Sequence, residues 1–370
     1  MLTLFQRYGF MSKALIQSAE ELGPVCTAIT AAHHIALDTE FIRQKTYRPK
    51  LCLIQIAVAD EIYCVDPLNM TDLMPLIEAL QKTTIVIHSA RQDIEAIYLE
   101  TGHLLAPVFD TQIAAGLAGV GDQISYSGLV AQLLNIELGK GETRTDWSKR
   151  PLSAAQLQYA QDDVRYLQQL YAPLTDLLAD QQRLEWHTEE CSRLDDESLY
   201  APDPAGSWRH VKGTRPLNTL QRRTMKRLAA WREIQADARD KPRKWIMDDD
   251  TLVKIALAEP QTEAELHELL GNTQRYLKSK SGEICQQITT AAADPVEEVP
   301  QRANGDENRL VKTCMQLLRQ AALEHGISPA LLGTRKDITA FVRGEPSTLQ
   351  QDWRYELVGR QLQDAVAADP

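Results

Sequence analysis

The sequence predicts an α/β domain followed by two small all-helical domains. Two observations support this fold class: β-rich runs alternate with helical periods up to about residue 190, and no β-rich run follows that point. Acidic stretches that also contain Pro, Gly and Ser, at 190–207 and 294–308, are typical of linkers. The expected domains are therefore 1–195, 208–292 and 306–370.

Four runs in the first domain have the composition of strands, because β-branched and apolar residues dominate them and polar or turn residues bound them. They lie at 34–41, 50–59, 61–66 and 83–89. The first three follow one another so closely that antiparallel pairing is expected, since a parallel return needs a long crossover. Amphipathic helices are predicted at 73–81, 93–100, 111–118, 129–136 and 153–174, the last with Ser153 as its N-cap.

Composition limits the class of protein. A net charge of −11 over 370 residues argues against binding of nucleic acid by bulk positive charge. The six cysteines form no CxxC pair, so neither a zinc site nor a redox motif is indicated. No apolar run reaches the roughly 18 residues of a membrane span, which predicts a cytoplasmic protein without membrane contact. Translation from Met11 is an alternative to Met1, so the first ten residues carry no functional weight.

Acidic residues recur at the ends of these elements. Asp38 and Glu40 share one face of a strand, Asp93 lies near a helix start, and Tyr159 precedes Asp163 by one helical turn. Each pattern alone is also typical of ordinary structure, namely a strand-end turn, a helix cap and a chance helical pair. Together they supply four hard oxygen ligands, which suit Mg²⁺ or Mn²⁺, and two such ions promote phosphoryl displacement.

Three segments, Asp38-Thr-Glu40, His88-Ser-Ala-Arg-Gln-Asp93 and Tyr159-Ala-Gln-Asp-Asp163, resemble the three motifs of the DEDD superfamily of 3′-to-5′ exonucleases, in its tyrosine subgroup. Residues 46–57, 108–117 and 146–153 resemble the ribonuclease D family. This resemblance covers residues 30 to about 190. It implies a ribonuclease H-like mixed sheet with flanking helices.

The remainder of the chain carries a second resemblance. Residues 220–271 are similar to the helicase-and-ribonuclease-D C-terminal (HRDC) module, and 308–367 look like a divergent second copy. The segment between Trp208 and Asp250 contains twelve Lys or Arg and six acidic residues. It is therefore a candidate for contact with phosphates, and a solvated helix face is an equally good interpretation. The candidate nucleic-acid-binding residues are Arg222, Arg223, Lys226, Arg227, Lys241, Arg243 and Lys244. Trp208, Trp231 and Trp245 are candidates for base stacking, although Trp231 has the spacing of a core residue.

The resemblance implies a 3′-to-5′ exoribonuclease that releases nucleoside 5′-monophosphates with two divalent metal ions, Mg²⁺ or Mn²⁺. Asp38, Glu40 and Asp163 would hold the ion that carries the attacking water, and Asp38 and Asp93 would place the second. Tyr159 would orient that water. The expected partner of this monomer is RNA with a free single-stranded 3′ end, with tRNA precursors as the expectation carried by the family.

Two other functions remain open. A DNA 3′-to-5′ exonuclease of proofreading type would use the same ligands, and a non-catalytic RNA-binding protein would be expected to lack at least one of them. His88 is expected to be a satisfied strand-end histidine, and Trp147 and Arg150 are either substrate-side or structural. A chain that ends near Ser198 keeps every proposed ligand and is expected to remain active on short RNA.

Overall fold

The computed structural model describes residues 11–139, 145–213, 217–295 and 305–368. The first ten residues and most of the second linker lie outside these ranges. The chain divides into two compact units. One contains the sheet, its flanking helices and the helices after residue 305, and the other contains Ile42–Lys50 together with the helices between the two linkers.

A six-stranded mixed sheet forms the centre of the first unit, with the strand order β1-β4-β3-β2-β5-β6. Its strands β2, β3, β4 and β5 confirm the four predicted runs, and β3 pairs with β4 antiparallel as expected. The pairs β1/β4, β2/β5 and β5/β6 are parallel. The strand bounds are β1 Met11–Ile16, β2 His34–Ile42, β3 Lys50–Val58, β4 Glu61–Val65, β5 Thr84–Ile87 and β6 Val108–Asp110.

In the described part of this domain seven α-helices follow or flank the strands, and five of them confirm the predicted amphipathic segments. The helix between β1 and β2 and the one after the long helix were not predicted. The bounds are α1 Ala19–Ala31, α2 Met74–Leu80, α3 Arg91–Thr101, α4 Thr111–Leu117, α5 Tyr126–Leu134, α6 Ala154–Asp180 and α7 Leu184–Ser192. Ser153 caps α6 as expected: its hydroxyl accepts the Gln156 amide, and the Gln156 side chain accepts the Ser153 amide.

Over 217–295 and 305–368, the described residues after the first linker form helices and no strands, as predicted. Its first part contains α8 Thr219–Ala238, α9 Arg243–Ile246, α10 Asp249–Ala258, α11 Glu263–Leu270, α12 Arg275–Ser279 and α13 Ser281–Ala291. Its second part contains α14 Gly305–Glu324, α15 Pro329–Leu332, α16 Arg335–Val342, α17 Asp352–Arg354 and α18 Arg360–Ala367. Within the described residues no helix is long and apolar enough to cross a membrane.

The second helical part shares its core with the sheet domain. Leu318 of α14 and Leu332 of α15 belong to the same buried apolar cluster as Ala114 and Leu117 of α4. Trp186 of α7 stacks on Trp353 of α17 with ring centroids 4.8 Å apart. The domain boundaries predicted from the sequence stay a prediction, but these contacts give the sheet domain a covering that periodicity alone does not reveal.

Polar contacts reinforce this packing. The buried Arg354 forms an ion pair with the buried Glu190 of α7 and also donates to the Leu331 carbonyl at 2.6 Å. Arg183 bridges two segments by donating to the carbonyls of Leu117, at 2.5 Å, and His325, at 2.6 Å. Since a buried charge is costly without its partner, these groups fix the position of α14–α18 on α4 and α7.

Candidate active site

Strand β2 carries two of the candidate ligands at its carboxyl end. Ile35, Ala36 and Leu37 are fully buried, and burial becomes partial at Asp38 and Glu40. The strand period places these two carboxylates on one face and Thr39 on the other. The apolar part of the strand is therefore followed by two acids near its carboxyl end.

Helix α6 supplies the third carboxylate and the tyrosine. Tyr159 and Asp163 are one turn apart and partly buried, while Ala160 and Val164 on the adjoining face are fully buried in the core. The Tyr159 hydroxyl donates a hydrogen bond to the Asp163 carboxylate. The helical period thus turns both functional groups to the same side.

The structure brings the acids of β2 and α6 together. One carboxylate oxygen from each of Asp38, Glu40 and Asp163 lies within 4.8 Å of the others. Asp93, in the first turn of α3, is buried, and it accepts a hydrogen bond from the Thr39 hydroxyl at 2.6 Å. Thr39, which no motif singled out, therefore connects Asp93 to the strand of the other acids.

Burial raises the pKa values of all four acids, and repulsion within the group adds to it at Asp38, Glu40 and Asp93. Burial, with the Asp163 charge second, raises the pKa of Asp38 to about 8. Burial, followed by Asp38, raises that of Glu40 to about 9, and burial raises that of Asp163 to about 7. Burial and the Asp38 charge also raise the pKa of Asp93 well above its usual range. The three carboxylates of Asp38, Glu40 and Asp163, within 4.8 Å of one another, ionise together only beside a compensating positive charge, as a bound divalent cation provides.

These raised pKa values predict a pH-dependent stability of the metal-free protein. Protons bind the native acids more tightly than the unfolded ones, so stability is greatest below the unfolded pKa values of about 4 and falls as pH rises through the native values of about 7 to 9. Asp38→Asn removes one of the repelling charges and is expected to raise the melting temperature in EDTA at pH 9. The expected gain is at least about 1 kcal/mol, or roughly 2–4 °C, and a smaller gain is expected at pH 6.

Thermal unfolding followed by circular dichroism at both pH values measures this difference. Asp176→Asn is the matched control, because Asp176 lies exposed on the same helix, α6, away from the cluster. An Asp38→Asn protein that melts below the wild type at pH 9, or gains equally at both pH values, contradicts the electrostatic origin.

Comparisons with known proteins show to which family this chain belongs. A family model described as "3'-5' exonuclease" matches residues 14–179, and the HRDC domain model matches 221–288. Ribonuclease D of Zymomonas mobilis is 37% identical over 361 residues, 94% of this chain and 92% of that protein. This chain belongs to the ribonuclease D family. Ribonuclease D of Xanthomonas oryzae is 37% identical over 344 residues, 90% of this chain and 93% of that protein.

A solved structure agrees with this membership of the ribonuclease D family. The crystal structure of Escherichia coli RNase D, described as an exoribonuclease involved in structured RNA processing, has a TM-score of 0.87 and 28% identity. The match covers 97% of this chain and 100% of that one. The fold class and the enzyme class predicted from the sequence, a 3′-to-5′ exoribonuclease, are confirmed.

The segment before α6 supports the tyrosine of this ribonuclease D family site. The Arg150 guanidinium donates to both oxygens of the fully buried Asp66, at 2.6 and 2.7 Å, and to the Cys52 carbonyl at 2.7 Å. Trp147 is 2% exposed, and its ring centroid lies 6.1 Å from that of Tyr159. Of the two interpretations left open by the sequence, the structure favours a structural one for Arg150 and Trp147.

His88 lies outside the group of acids. Its Nδ1 is 2.9 Å from the Thr111 hydroxyl, and its buried Nε2 has no hydrogen-bond partner among the described residues. The Thr111 contact agrees with the expectation of a strand-end histidine that has a hydrogen-bond partner. Burial lowers the pKa of His88, so the ring stays neutral at physiological pH.

The candidate cations of α8 have partners within their own unit. Arg227 forms a bidentate ion pair with Asp294 at 2.6 Å, and Arg223 donates to the Ala292 carbonyl at 3.3 Å. Arg222 donates to the Leu217 carbonyl at 3.0 Å, and Lys226 lies 4.5 Å from the centroid of the Trp208 ring. These four cations therefore also have structural contacts, which the sequence pattern did not predict.

The other three candidate cations are exposed, and the candidate tryptophans differ in exposure. Lys241, Arg243 and Lys244 are exposed at and near α9. Trp245 is also exposed, to 53%, whereas Trp231 is 6% exposed and donates its indole N–H to Glu283 at 3.0 Å. The expectation that Trp231 belongs to the core is confirmed, and Trp245 is the more accessible aromatic surface of the two.

Proposed function

We propose that the chain hydrolyses RNA from a free single-stranded 3′ end and releases nucleoside 5′-monophosphates. The observation that carries this proposal is the convergence of Asp38, Glu40 and Asp163 within 4.8 Å, with Asp93 tied to the same strand through Thr39. Only a single strand lets the scissile phosphate enter such a recessed acidic site.

The residues fit a pair of divalent cations, Mg²⁺ or Mn²⁺. The donors are carboxylate oxygens only, and their raised pKa values reflect a negative charge that lacks a local counterion. Asp38, Glu40 and Asp163 would hold one ion, and Asp38 and Asp93 the other. When bound, such ions activate water and stabilise the charge that develops on the attacking and leaving oxygens.

Tyr159 positions the attacking water by a hydrogen bond. Burial and the Asp163 charge raise the pKa of this phenol far above its usual value, so it stays protonated and is no general base. Its ring is fixed by the packing of Trp147, and its hydroxyl already points at Asp163. The phenol therefore contributes orientation to the chemical step.

Tyr159→Phe is expected to lower the single-turnover rate by roughly 10²-fold, the usual effect of removing one positioned hydrogen bond at a reacting centre. RNA affinity should change little, because the ring and its packing remain. Rapid quench and equilibrium binding measure the two quantities. Tyr166→Phe, on the same helix, is the control. Weaker binding with an unchanged rate would contradict the role of Tyr159.

The basic residues around α8 and α9 are proposed as the RNA-binding surface, with the exposed Lys241, Arg243 and Lys244 as its main cations. Arg222, Arg223, Lys226 and Arg227 also contribute charge, although each has a local contact. We propose tRNA precursors as the physiological substrate, and we propose that the enzyme acts as a monomer in the cytoplasm. Relatives named ribonuclease D, one of them described as acting in structured RNA processing, support this choice.

The direct test uses RNA and DNA of one sequence, each with an unpaired 3′ tail, incubated with Mg²⁺, Mn²⁺ or EDTA. We expect stepwise shortening of the RNA from its 3′ end, release of 5′-monophosphates and no reaction in EDTA. Faster shortening of the DNA would favour the proofreading-type alternative. Release of oligonucleotides, or hydrolysis in EDTA, would refute the proposal.

A further inference from the structure

A cavity of about 470 Å³ lies in the compact unit that contains α8–α13. Four cations line it, Arg43, Arg232, Arg243 and Lys244, together with the acid Asp249. Arg43 comes from the segment Ile42–Lys50, which belongs to this unit although it is inserted between β2 and β3. The cavity is therefore built from two parts of the chain that are about 190 residues apart.

Acidic side chains near the end of α8 hold the inserted segment in place. The Tyr47 hydroxyl donates to Glu233 at 2.8 Å, and the Tyr47 amide donates to Asp240 at 2.9 Å. The Arg48 guanidinium donates to both oxygens of Asp237, at 2.6 and 2.8 Å. These contacts fix the wall that carries Arg43, so the cavity is preformed.

The charge around the cavity is positive. Asp249 accepts from Arg232 at 2.7 Å, and the buried Glu233 lies 3.4 Å from Arg243. Among the residues that line the cavity, four are cations and one, Asp249, is an acid. Arg232 is 1% exposed, and its guanidinium pairs with Asp249 and, at 3.8 Å from Nε, with Glu233. Within the described part of the chain the buried Thr46 hydroxyl has no hydrogen-bond partner. A buried hydroxyl without a partner in a cavity lined mainly by cations indicates an anionic acceptor as the ligand.

We infer that this cavity binds a phosphodiester of the RNA strand. A cavity of this volume accommodates a whole nucleotide and not only a free phosphate ion. The 53%-exposed Trp245 follows Lys244 directly in α9 and offers a surface on which a base can stack. The inference rests on the proposed function and assigns it a specific phosphate-binding site.

The test compares the wild-type full chain with Arg43→Gln/Lys244→Gln. The control is Arg275→Gln/Lys278→Gln, which removes the same charge from α12 in the same unit but outside the cavity. A fluorescent single-stranded 12-nucleotide RNA is titrated in EDTA at several salt concentrations, so that no hydrolysis occurs. Binding of AMP and of inorganic phosphate is measured in parallel. Lys244→Gln alone is included in case the double variant is unstable.

The cavity variant is expected to bind the RNA roughly 10-fold more weakly than the control at moderate salt. Its slope of log K against log salt should be shallower by about 1.4, since each lost phosphate contact on a single strand contributes about 0.7. RNA affinity and slope equal to those of the control would overturn the inference, as would a loss confined to AMP or phosphate. Hydrolysis by the wild type in Mg²⁺ is scored separately, so failure of the proposed function is distinguishable from failure of the cavity.

Discussion

Asp38→Asn is expected to reduce hydrolysis of RNA by at least about 10³-fold, which corresponds to about 4 kcal/mol of lost transition-state stabilisation. Asp38 is the acid assigned to both cations, so its charge affects the whole site. The amide keeps the size of the side chain and relieves repulsion from Asp163, so the fold should be retained. Single-turnover hydrolysis of a 5′-labelled RNA at saturating enzyme measures the loss.

Asp176→Asn is the control for this substitution and should hydrolyse RNA at the wild-type rate. Circular dichroism spectra of both variants establish that they are folded. Turnover by Asp38→Asn within a few-fold of wild type, in either Mg²⁺ or Mn²⁺, would remove the acid cluster from the mechanism.

A chain that ends at Ser198 is expected to lose its stable fold, contrary to the expectation from the sequence. It retains every proposed ligand but lacks α14–α18, whose side chains belong to the core shared with α4. Removing them exposes a large apolar surface and leaves Glu190 without Arg354. Expression of this chain as aggregated or protease-sensitive protein is the expected result, and an active, cooperatively melting product would contradict it.

A point substitution tests the same core without truncation. Leu318→Ala removes a fully buried side chain of α14 and should destabilise the unit by about 2–5 kcal/mol. Leu323→Ala, on the same helix, is the matched control because Leu323 is 82% exposed. Denaturant unfolding gives both free energies, and heat inactivation of RNA hydrolysis shows whether the active site unfolds with this core. Equal stability of the two variants would show that α14–α18 do not stabilise the exonuclease fold.

The sequence predicts those features that one segment encodes by itself. Strands β2 to β5 are apolar runs long enough to recognise, whereas β6 has three residues, which is too few to show a period. The strand period and the helical period suffice to place Asp38 with Glu40 and Tyr159 with Asp163. The chemistry of carboxylates then indicates the type of cofactor.

Features that depend on pairing between distant segments were not predictable. The Arg150–Asp66 contact joins residues 84 positions apart, and the Thr39–Asp93 hydrogen bond joins residues 54 apart. Amphipathic spacing in α14 shows that one face is buried but does not identify α4 as the surface that covers it. For the same reason the sequence could not reveal that Arg227 is paired with Asp294.

The number of Mn²⁺ ions that the full chain binds at neutral pH, measured by electron paramagnetic resonance of the free ion, tests most directly whether the acid cluster is a metal-binding centre. We expect two tightly bound Mn²⁺ per chain in the wild type and in Asp176→Asn. Asp38→Asn should bind fewer than two and should lose hydrolysis. Two ions bound to Asp38→Asn, or none bound to a wild-type chain that still hydrolyses RNA, would contradict the assignment of the acid cluster as the metal-binding catalytic centre.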